Sequence, residues 1–368
     1  MPGSSYGEIF KVTTWGESHG KALGAVIDGC PAGIPITEEH IQKFMDRRKP
    51  GASRYATKRA EADKIEIYSG VFESLTTGCP IMMAVKNEDH ISANYDNIKS
   101  VYRPAHADYG FSKKFGIRDY RGGGRSSGRE TLCRVAAGAV AVKALEQLGI
   151  KILTYTKSIG GIFVSEENFD EAQINKNELY MPDDNAYKKA TSYLDGVISR
   201  GDSAGGIIEC VIKGVKPGIG QPVFDKLDAC ISHAVFSIGA VKGVEFGAGM
   251  ASASMNASKF NDGFYADEDK NIRKRTNNSG GITGGLSDGA DIVFRAAVKP
   301  TPSISLAQQT ADTLSNNVTV NITGRHDPVI VPRAVVVVEA MAAIALLDMI
   351  LISLPSKAEN LKRAYENL

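Results

Sequence analysis

The sequence predicts a mixed α/β (α+β) fold in one integrated domain spanning residues 1–368, and three features predict it. A long apolar segment from Ala334 to Leu354 suits a buried helix, and a second run from Leu132 to Leu148 keeps a near-helical apolar period. Short apolar blocks broken by polar residues at 6–28 and 64–85 read as strands. No fixed-period repeat and no Ser/Gly-rich or Pro-rich linker divides the chain.

Taken in order, Leu23 to Ile27 is a strand that ends at Asp28-Gly29. Thr37 caps a helix with Glu38 and Glu39 in its first turn and Ile41, Phe44 and Met45 on one face, stopped at Pro50-Gly51. Ile65, Ile67 and Val71 precede the strand Ile81 to Val85 across a Thr-Thr-Gly turn. The helix after Arg129-Glu130-Thr131 ends at Gly149. Glu166 to Asp195 is acidic and polar, and its composition predicts a surface excursion with helical fragments. Gly239 to Gly289 holds ten glycines among Ser, Asn and Asp, too many for continuous regular structure, and such loops commonly bind ligands. Pro332 fits the first turn of the last helix; valines 335–338 leave a strand as the competing reading, and the length of the run favours helix.

Charge is balanced, with 43 Lys and Arg against 42 Asp and Glu, net +1. This disfavours a nucleic-acid coat or an anionic-membrane binder, both of which need a global cationic excess. Five cysteines without a C-x-x-C pair, and no secretory pattern at the start, predict a reducing cytoplasm. The apolar 334–354 run is interrupted by Glu339 and Asp348, so it is expected to be a soluble core helix and not a membrane span. No His/Cys/Asp spacing suggests a metal site.

Any basic function must therefore be local, and two segments supply it. Arg47, Arg48, Lys49, Arg54, Lys58 and Arg59 form an island without an acidic residue. Either Arg47 and Arg48 complement a helix C-terminus while the others are solvated, or the island binds anions through paired guanidinium hydrogen bonds. Arg118, Arg121, Arg125 and Arg129 surround three glycines and two serines directly before a helix. Unpaired helix N–H groups, close backbone approach and full positive charge together suit a phosphate. The segment matches neither a Walker A loop nor G-x-G-x-x-G. His19, beside Ser18 and between glycines, and His106, near Arg103, are placed in contexts suited to proton handling near neutral pH. Arg325-His326-Asp327 reads either as a surface turn with an Asp327–Arg325 pair or as part of a site.

Eight segments in order carry a family resemblance: Phe10 to Gly20, Asp46 to Gly51, Arg103 to Asp108, Asp119 to Thr131, Ala240 to Glu245, Ser279 to Gly285, Lys299 to Ser303 and Gly324 to Pro328. Together they resemble the chorismate synthase family over nearly the whole chain. The resemblance implies a sandwich in which helices are enclosed between two antiparallel sheets, assembled as a homotetramer. It implies anti-1,4-elimination of phosphate from 5-enolpyruvylshikimate 3-phosphate, giving chorismate, with reduced FMN and no net redox change. NADPH is a possible reductant, and an NADPH-dependent flavin reductase is the rival enzyme.

Residue by residue, the resemblance implies that His106 protonates or stabilises reduced flavin and His19 protonates the departing phosphate. Asp327 would work with the flavin in removing the ring proton, and Ser18 and Ser127 would relay protons. The implied FMN contacts are Arg125, Ser126, Ser127, Gly239, Ala240, Gly284, Lys299, Pro300, Thr301, Pro302, Ser303 and Arg325. Arg48 and Arg54 match nicotinamide-cofactor positions that would equally serve substrate anions, and Arg129 and Arg134 join Arg48 as substrate contacts. Gly128, Gly239 and Asn278 stand where the family commonly has Ala, Asn and Arg.

Overall fold

The computed structural model describes residues 3–49, 51, 53–55, 62–87, 98–322 and 327–367. Two five-stranded sheets form its outer layers. In the first, Ser5–Tyr6, Lys11–Gly16, Ala22–Asp28, Ile81–Lys86 and Ile65–Ile67 lie side by side, every neighbour antiparallel. In the second, the order is Val241–Phe246, Ile292–Val298, Gly206–Lys213, Lys151–Ile159 and Ile162–Phe163, again antiparallel throughout. Alternation sets which face turns inward: Ile292, Phe294, Ala296 and Val298 are buried while their neighbours are not.

Helices fill the space between. α1 (Glu38–Arg48) starts where Thr37 accepts a hydrogen bond from the His40 N–H at 3.2 Å, and it buries Ile41 and Met45. α2 (Asp108–Phe115) is short and ends on Gly116 at φ 71°. α3 (Thr131–Gln147) packs on the first sheet and on the long C-terminal helix Val331–Ser353. α4 (Asp184–Ser199) is capped by Asp183, which accepts from the Asn185 and Ala186 N–H groups. α5 (Leu227–Phe236) and α7 (Val331–Ser353) cover the second sheet, while α6 (Ala257–Phe260) lies in the glycine-rich region. The sequence of layers is thus sheet, helices, sheet.

The α4 segment corrects the expected surface excursion. Ala186, Ala190, Leu194 and Val197 form a buried stripe at helical spacing, so the acidic stretch from Asp184 onward belongs to an amphipathic helix against the body of the protein. The glycine-rich region likewise contributes the Val241–Phe246 edge strand, and the rest of it holds the one-turn α6 and short hairpins.

α7 is apolar all round, and valines 335–338 are helical and buried. It is long and apolar enough to cross a membrane, yet 89% of its most apolar window is buried inside the fold. Both of its interior acids have assigned partners. Glu339 receives both Arg47 terminal nitrogens, at 2.6 and 3.1 Å. Asp348 accepts the backbone N–H groups of Glu8, Ile9 and Phe10 at 2.8–2.9 Å, clamping the start of the first sheet to α7.

α3 and α7 cross closely because Gly138 has no side chain: a Cβ there would lie 2.2 Å from Ala340 Cβ and 2.5 Å from its Cα. Gly138→Ala is therefore expected to destabilise the protein by about 1–3 kcal/mol through overpacking. Gly196→Ala in α4, where the added methyl meets only the flexible end of Arg200, should gain about 0.5–1 kcal/mol. Urea denaturation of both variants checks the contrast.

Candidate active site at the entrance to α3

Two short 3-10 turns, Gly124–Ser126 and Gly128–Glu130, lead into α3, and the sequence-predicted residues gather around this segment. Gly122, Gly123 and Gly124 all have positive φ, at 63°, 86° and 53°, which explains the glycine run. A Cβ on Gly122 would lie 2.3 Å from His19 Cε1 and 2.7 Å from Ser18 Oγ. One on Gly123 would lie 3.4 Å from His106 Cε1 and 3.5 Å from its Nε2. Adjacent glycines thus bring together two histidines 87 residues apart in sequence.

Each histidine has a polar neighbour at Nδ1. Ser18 Oγ is 3.2 Å from His19 Nδ1. Around His106 Nδ1 stand Arg103 Nη2 at 3.1 Å and Asp108 Oδ1 at 2.9 Å. Asp108 is buried, and burial alone would raise its carboxyl. Hydrogen bonds from Arg103 and His106 outweigh that and hold it far below the usual carboxylate range.

The arginines form two clusters, one around the buried Asp63 and one around the buried Glu130. Asp63, its side chain fully buried, pairs with Arg48 at 2.9 Å and with Arg129 at 2.8 Å. Arg48 Nε also donates to Thr131 Oγ1 at 3.1 Å. Arg333 donates to the Arg48 carbonyl at 3.0 Å and pairs with Asp327, which brings the 327 segment into the same place. On the other side Glu130 accepts from Thr14 Oγ1 at 3.0 Å and Arg134 Nε at 2.8 Å, with Arg125 at 3.8 Å. Arg125 turns back to the first sheet, donating to the Gly16 carbonyl at 3.1 Å and Thr14 Oγ1 at 2.7 Å. Ser127 caps the second turn by accepting from the Arg129 N–H, and Ser126 Oγ donates to the Gly123 carbonyl.

Arg48, Arg125, Arg129, Arg134 and Arg333 thus meet the carboxylates Asp63, Glu130 and Asp327. The cationic surplus is felt at Arg48. Burial first, and Arg333 next, push its guanidinium down to about 10 despite Asp63. Burial likewise pushes Asp63 up against the pull of Arg48. An added anion relieves this arrangement.

A third wall comes from the end of the second sheet. Lys299 N–H donates to the Ala240 carbonyl at 2.9 Å, and Lys299 Nζ lies 3.3 Å from the Ala105 carbonyl, next to His106. Among the described residues Lys299 has no carboxylate partner, and burial, then Lys242, lower its ammonium. Ala240 and Ala105 hold left-handed backbone, φ 75° and 54°, costly for a residue with a Cβ. Gly239 opens the turn before Ala240 with free space where a Cβ would be. In the Lys299–Ser303 stretch, Pro300 packs by Gly205, Ser303 is buried, and the buried Thr301 Oγ1 has no hydrogen-bond partner; Pro302 lies between them.

Two of the expected contacts lie elsewhere in the chain. Arg54 is exposed and engaged by Glu178, Asp195 and Tyr55 near α4. Gly284 sits in the Ile282–Thr283/Leu286–Ser287 hairpin at the Ile292 end of the strand whose Val298 end precedes Lys299. Those ends are about 20 Å apart at strand rise. Arg325 lies outside the described residues. Arg47, in the last turn of α1, serves Glu339 on α7, whereas Arg48 is an interior residue of the site.

Asp63, Glu130, Asp108 and Arg333 received no role from the sequence. The only available signal for Asp63 was its position as one of the first carboxylates after the basic island. Asp63→Ala is expected to cost about 3–5 kcal/mol by leaving buried guanidiniums uncompensated, read by urea denaturation. For Asp108, the lowered folded-state carboxyl contributes stability that is present above about pH 4 and lost as pH falls below it. The acid limb of a stability–pH curve should be shallower in Asp108→Asn than in the wild type.

Comparison with known proteins agrees with this geometry. The sequence profile of the family described as chorismate synthase matches residues 10–351. A chorismate synthase from Lachnoclostridium phytofermentans is 56% identical, with 100% of each chain covered. One from Agathobacter rectalis is 54% identical with the same coverage, and one from Methanocella arvoryzae is 52% identical over 95% of this chain and 94% of its own. A crystal structure of chorismate synthase superposes with a TM-score of 0.75 at 32% identity, covering 97% of this chain and 96% of the other. The chain belongs to the chorismate synthase family, carbon–oxygen lyases of aromatic amino acid biosynthesis.

Proposed function

We propose that this enzyme eliminates phosphate from 5-enolpyruvylshikimate 3-phosphate at the entrance to α3, using reduced FMN, as one catalytic domain over residues 1–368. The observation that carries the reading is the surplus of buried guanidinium beside two histidines on adjacent glycines. A substrate with one phosphate and two carboxylates matches that charge.

The residues present suit a flavin phosphate and ring system. Lys299 lacks a counter-anion among the described residues, Thr301 Oγ1 is a buried hydroxyl without a partner, and Ala240 holds a strained backbone facing them. Lys299 to Ser303, Gly239-Ala240 and Ser126-Ser127 would hold FMN, which when bound supplies transient electron density to the substrate. Arg125 would serve this site indirectly, by fixing the Thr14–Gly16 backbone next to His19.

The chain's own residues divide the work. Arg48, Arg129 and Arg134 bind and orient the anionic groups. His19, with Ser18 at its Nδ1, delivers a proton to the departing phosphate oxygen. His106 holds a proton at the flavin side of the pocket, and Asp327, gripped by Arg333, assists removal of the ring proton. Ser127 is a relay candidate at the turn before Arg129.

The family match favours this lyase over an NADPH-dependent flavin reductase. NADPH would enter only as a reductant of the flavin. Cytoplasmic location and assembly as a homotetramer complete the reading, with no nucleic-acid or membrane partner. Exposed Phe224 and Met250, 87% and 82% accessible, are the kind of apolar side chains a second copy would cover.

The test is anaerobic phosphate release from the enolpyruvyl substrate with pre-reduced FMN. Chorismate absorbance without NADPH consumption is expected, and flavin reduction alone would reject the lyase. His19→Ala and His106→Ala should each lower kcat by about 10²–10⁴-fold while melting like the wild type. Arg54→Ala, on the exposed α4 side, should leave phosphate release nearly unchanged.

A further inference from the structure

Asp108 contributes to the His106 arrangement in a way the family assignment does not express. His106 Nδ1 has both a donor and an acceptor within reach: Arg103 Nη2 at 3.1 Å and Asp108 Oδ1 at 2.9 Å. These two groups are themselves locked together, Arg103 Nε donating to Asp108 Oδ2 at 2.7 Å and Arg103 Nη2 to Oδ1 at 2.9 Å. Arg118 Nη1 approaches the same carboxylate at 3.2 Å, and the Arg103 N–H closes it at 3.2 Å. The carboxylate is buried and so is Arg103, which leaves little freedom to exchange partners with solvent.

We propose that Asp108, gripped by Arg103, is a positioning residue that keeps a hydrogen on His106 Nδ1 and leaves Nε2, the nitrogen next to Gly123, to handle a proton. Nδ1–H donates to the Asp108 carboxylate in both charge states of the ring, because an ionised carboxylate only accepts. In the neutral ring the Nε2 lone pair is then the acceptor. An isolated neutral imidazole would divide its hydrogen between the two nitrogens; here the carboxylate at Nδ1 selects one tautomer. Lys299, whose Nζ lies against the Ala105 carbonyl, and the Ser126 hydroxyl, which donates to the Gly123 carbonyl, also stand near this segment. The role of that Nε2 in turnover rests on the lyase reading, whereas the placement of the hydrogen on Nδ1 does not.

The experiment is ¹⁵N-histidine NMR of the full-length chain with the ring neutral, paired with anaerobic phosphate release using reduced FMN. In the wild type the neutral ring should show the Nδ1–H pattern of nitrogen shifts. In Asp108→Asn that pattern should shift toward Nε2–H, because the carboxylate is gone and Arg103 stays as a donor at Nδ1. Turnover of Asp108→Asn should fall at least tenfold in kcat with little change in KM, and Asp108→Glu should recover part of it. A neutral wild-type ring carrying its hydrogen on Nε2, or an unchanged tautomer pattern in folded Asp108→Asn, overturns the proposal. Should Asp108→Asn fail to fold, the wild-type tautomer alone decides the question. A wild type that releases no phosphate would reject the lyase reading while the tautomer still decides the positioning role.

Discussion

A helix that is apolar on every side cannot rest on a surface; it has to be enclosed, and the enclosure of α7 organises the rest of this protein. Its 23 residues extend about 34 Å, so covering it takes α3, α5 and α1 beside it and the second sheet directly against it. The two carboxylates within it turn this demand into register. Glu339 can be buried only where Arg47, in the last turn of α1, reaches it, and Asp348 only where three consecutive amides of the N-terminal turn meet it. The close approach at Gly138 and Ala340 then fixes where α3 begins, and the beginning of α3 is where the chemistry sits.

At that end of the helix layer, hydrophobic burial gives way to unresolved electrostatics. Asp63 and Glu130 each serve two arginines, and Arg333 bridges Asp327 and the last residue of α1. Such a cluster is weak as a source of folding stability, because each ion loses hydration. Its value lies in orientation: planar guanidiniums held by shared carboxylates present their remaining N–H groups in fixed directions. A globally neutral chain and a locally cationic interior are compatible because the compensating acids lie elsewhere, on exposed stretches such as the one carrying Glu166, Glu167, Asp170 and Glu171.

Much of this was legible in the sequence. The Thr37 cap, the Leu23–Ile27 strand, the α3 period with its Gly149 stop and the helical valines of α7 all follow local rules, and the structure keeps them. The coincidence of His19, His106 and the glycine run was anticipated as chemistry, and Gly122 and Gly123 supply the contact that joins them. What local pattern could not reveal was pairing across long separations. Asp63 with Arg129, Asp348 with Glu8 to Phe10, and Arg333 with Arg48 each depend on how sheets and helices stack. The α4 stripe was missed for a different reason: its four apolar positions were present, but the surrounding acidic composition outweighed them in a reading by averages.

The contact between Gly122 and His19 has a consequence for how this loop tolerates sequence drift. Even a methyl group at 122 would occupy the volume of the imidazole, and left-handed φ already disfavours any such replacement. The constraint runs one way: position 122 stays closed to every side chain for as long as an imidazole fills the neighbouring volume, and a library that randomises it alone samples mostly collisions.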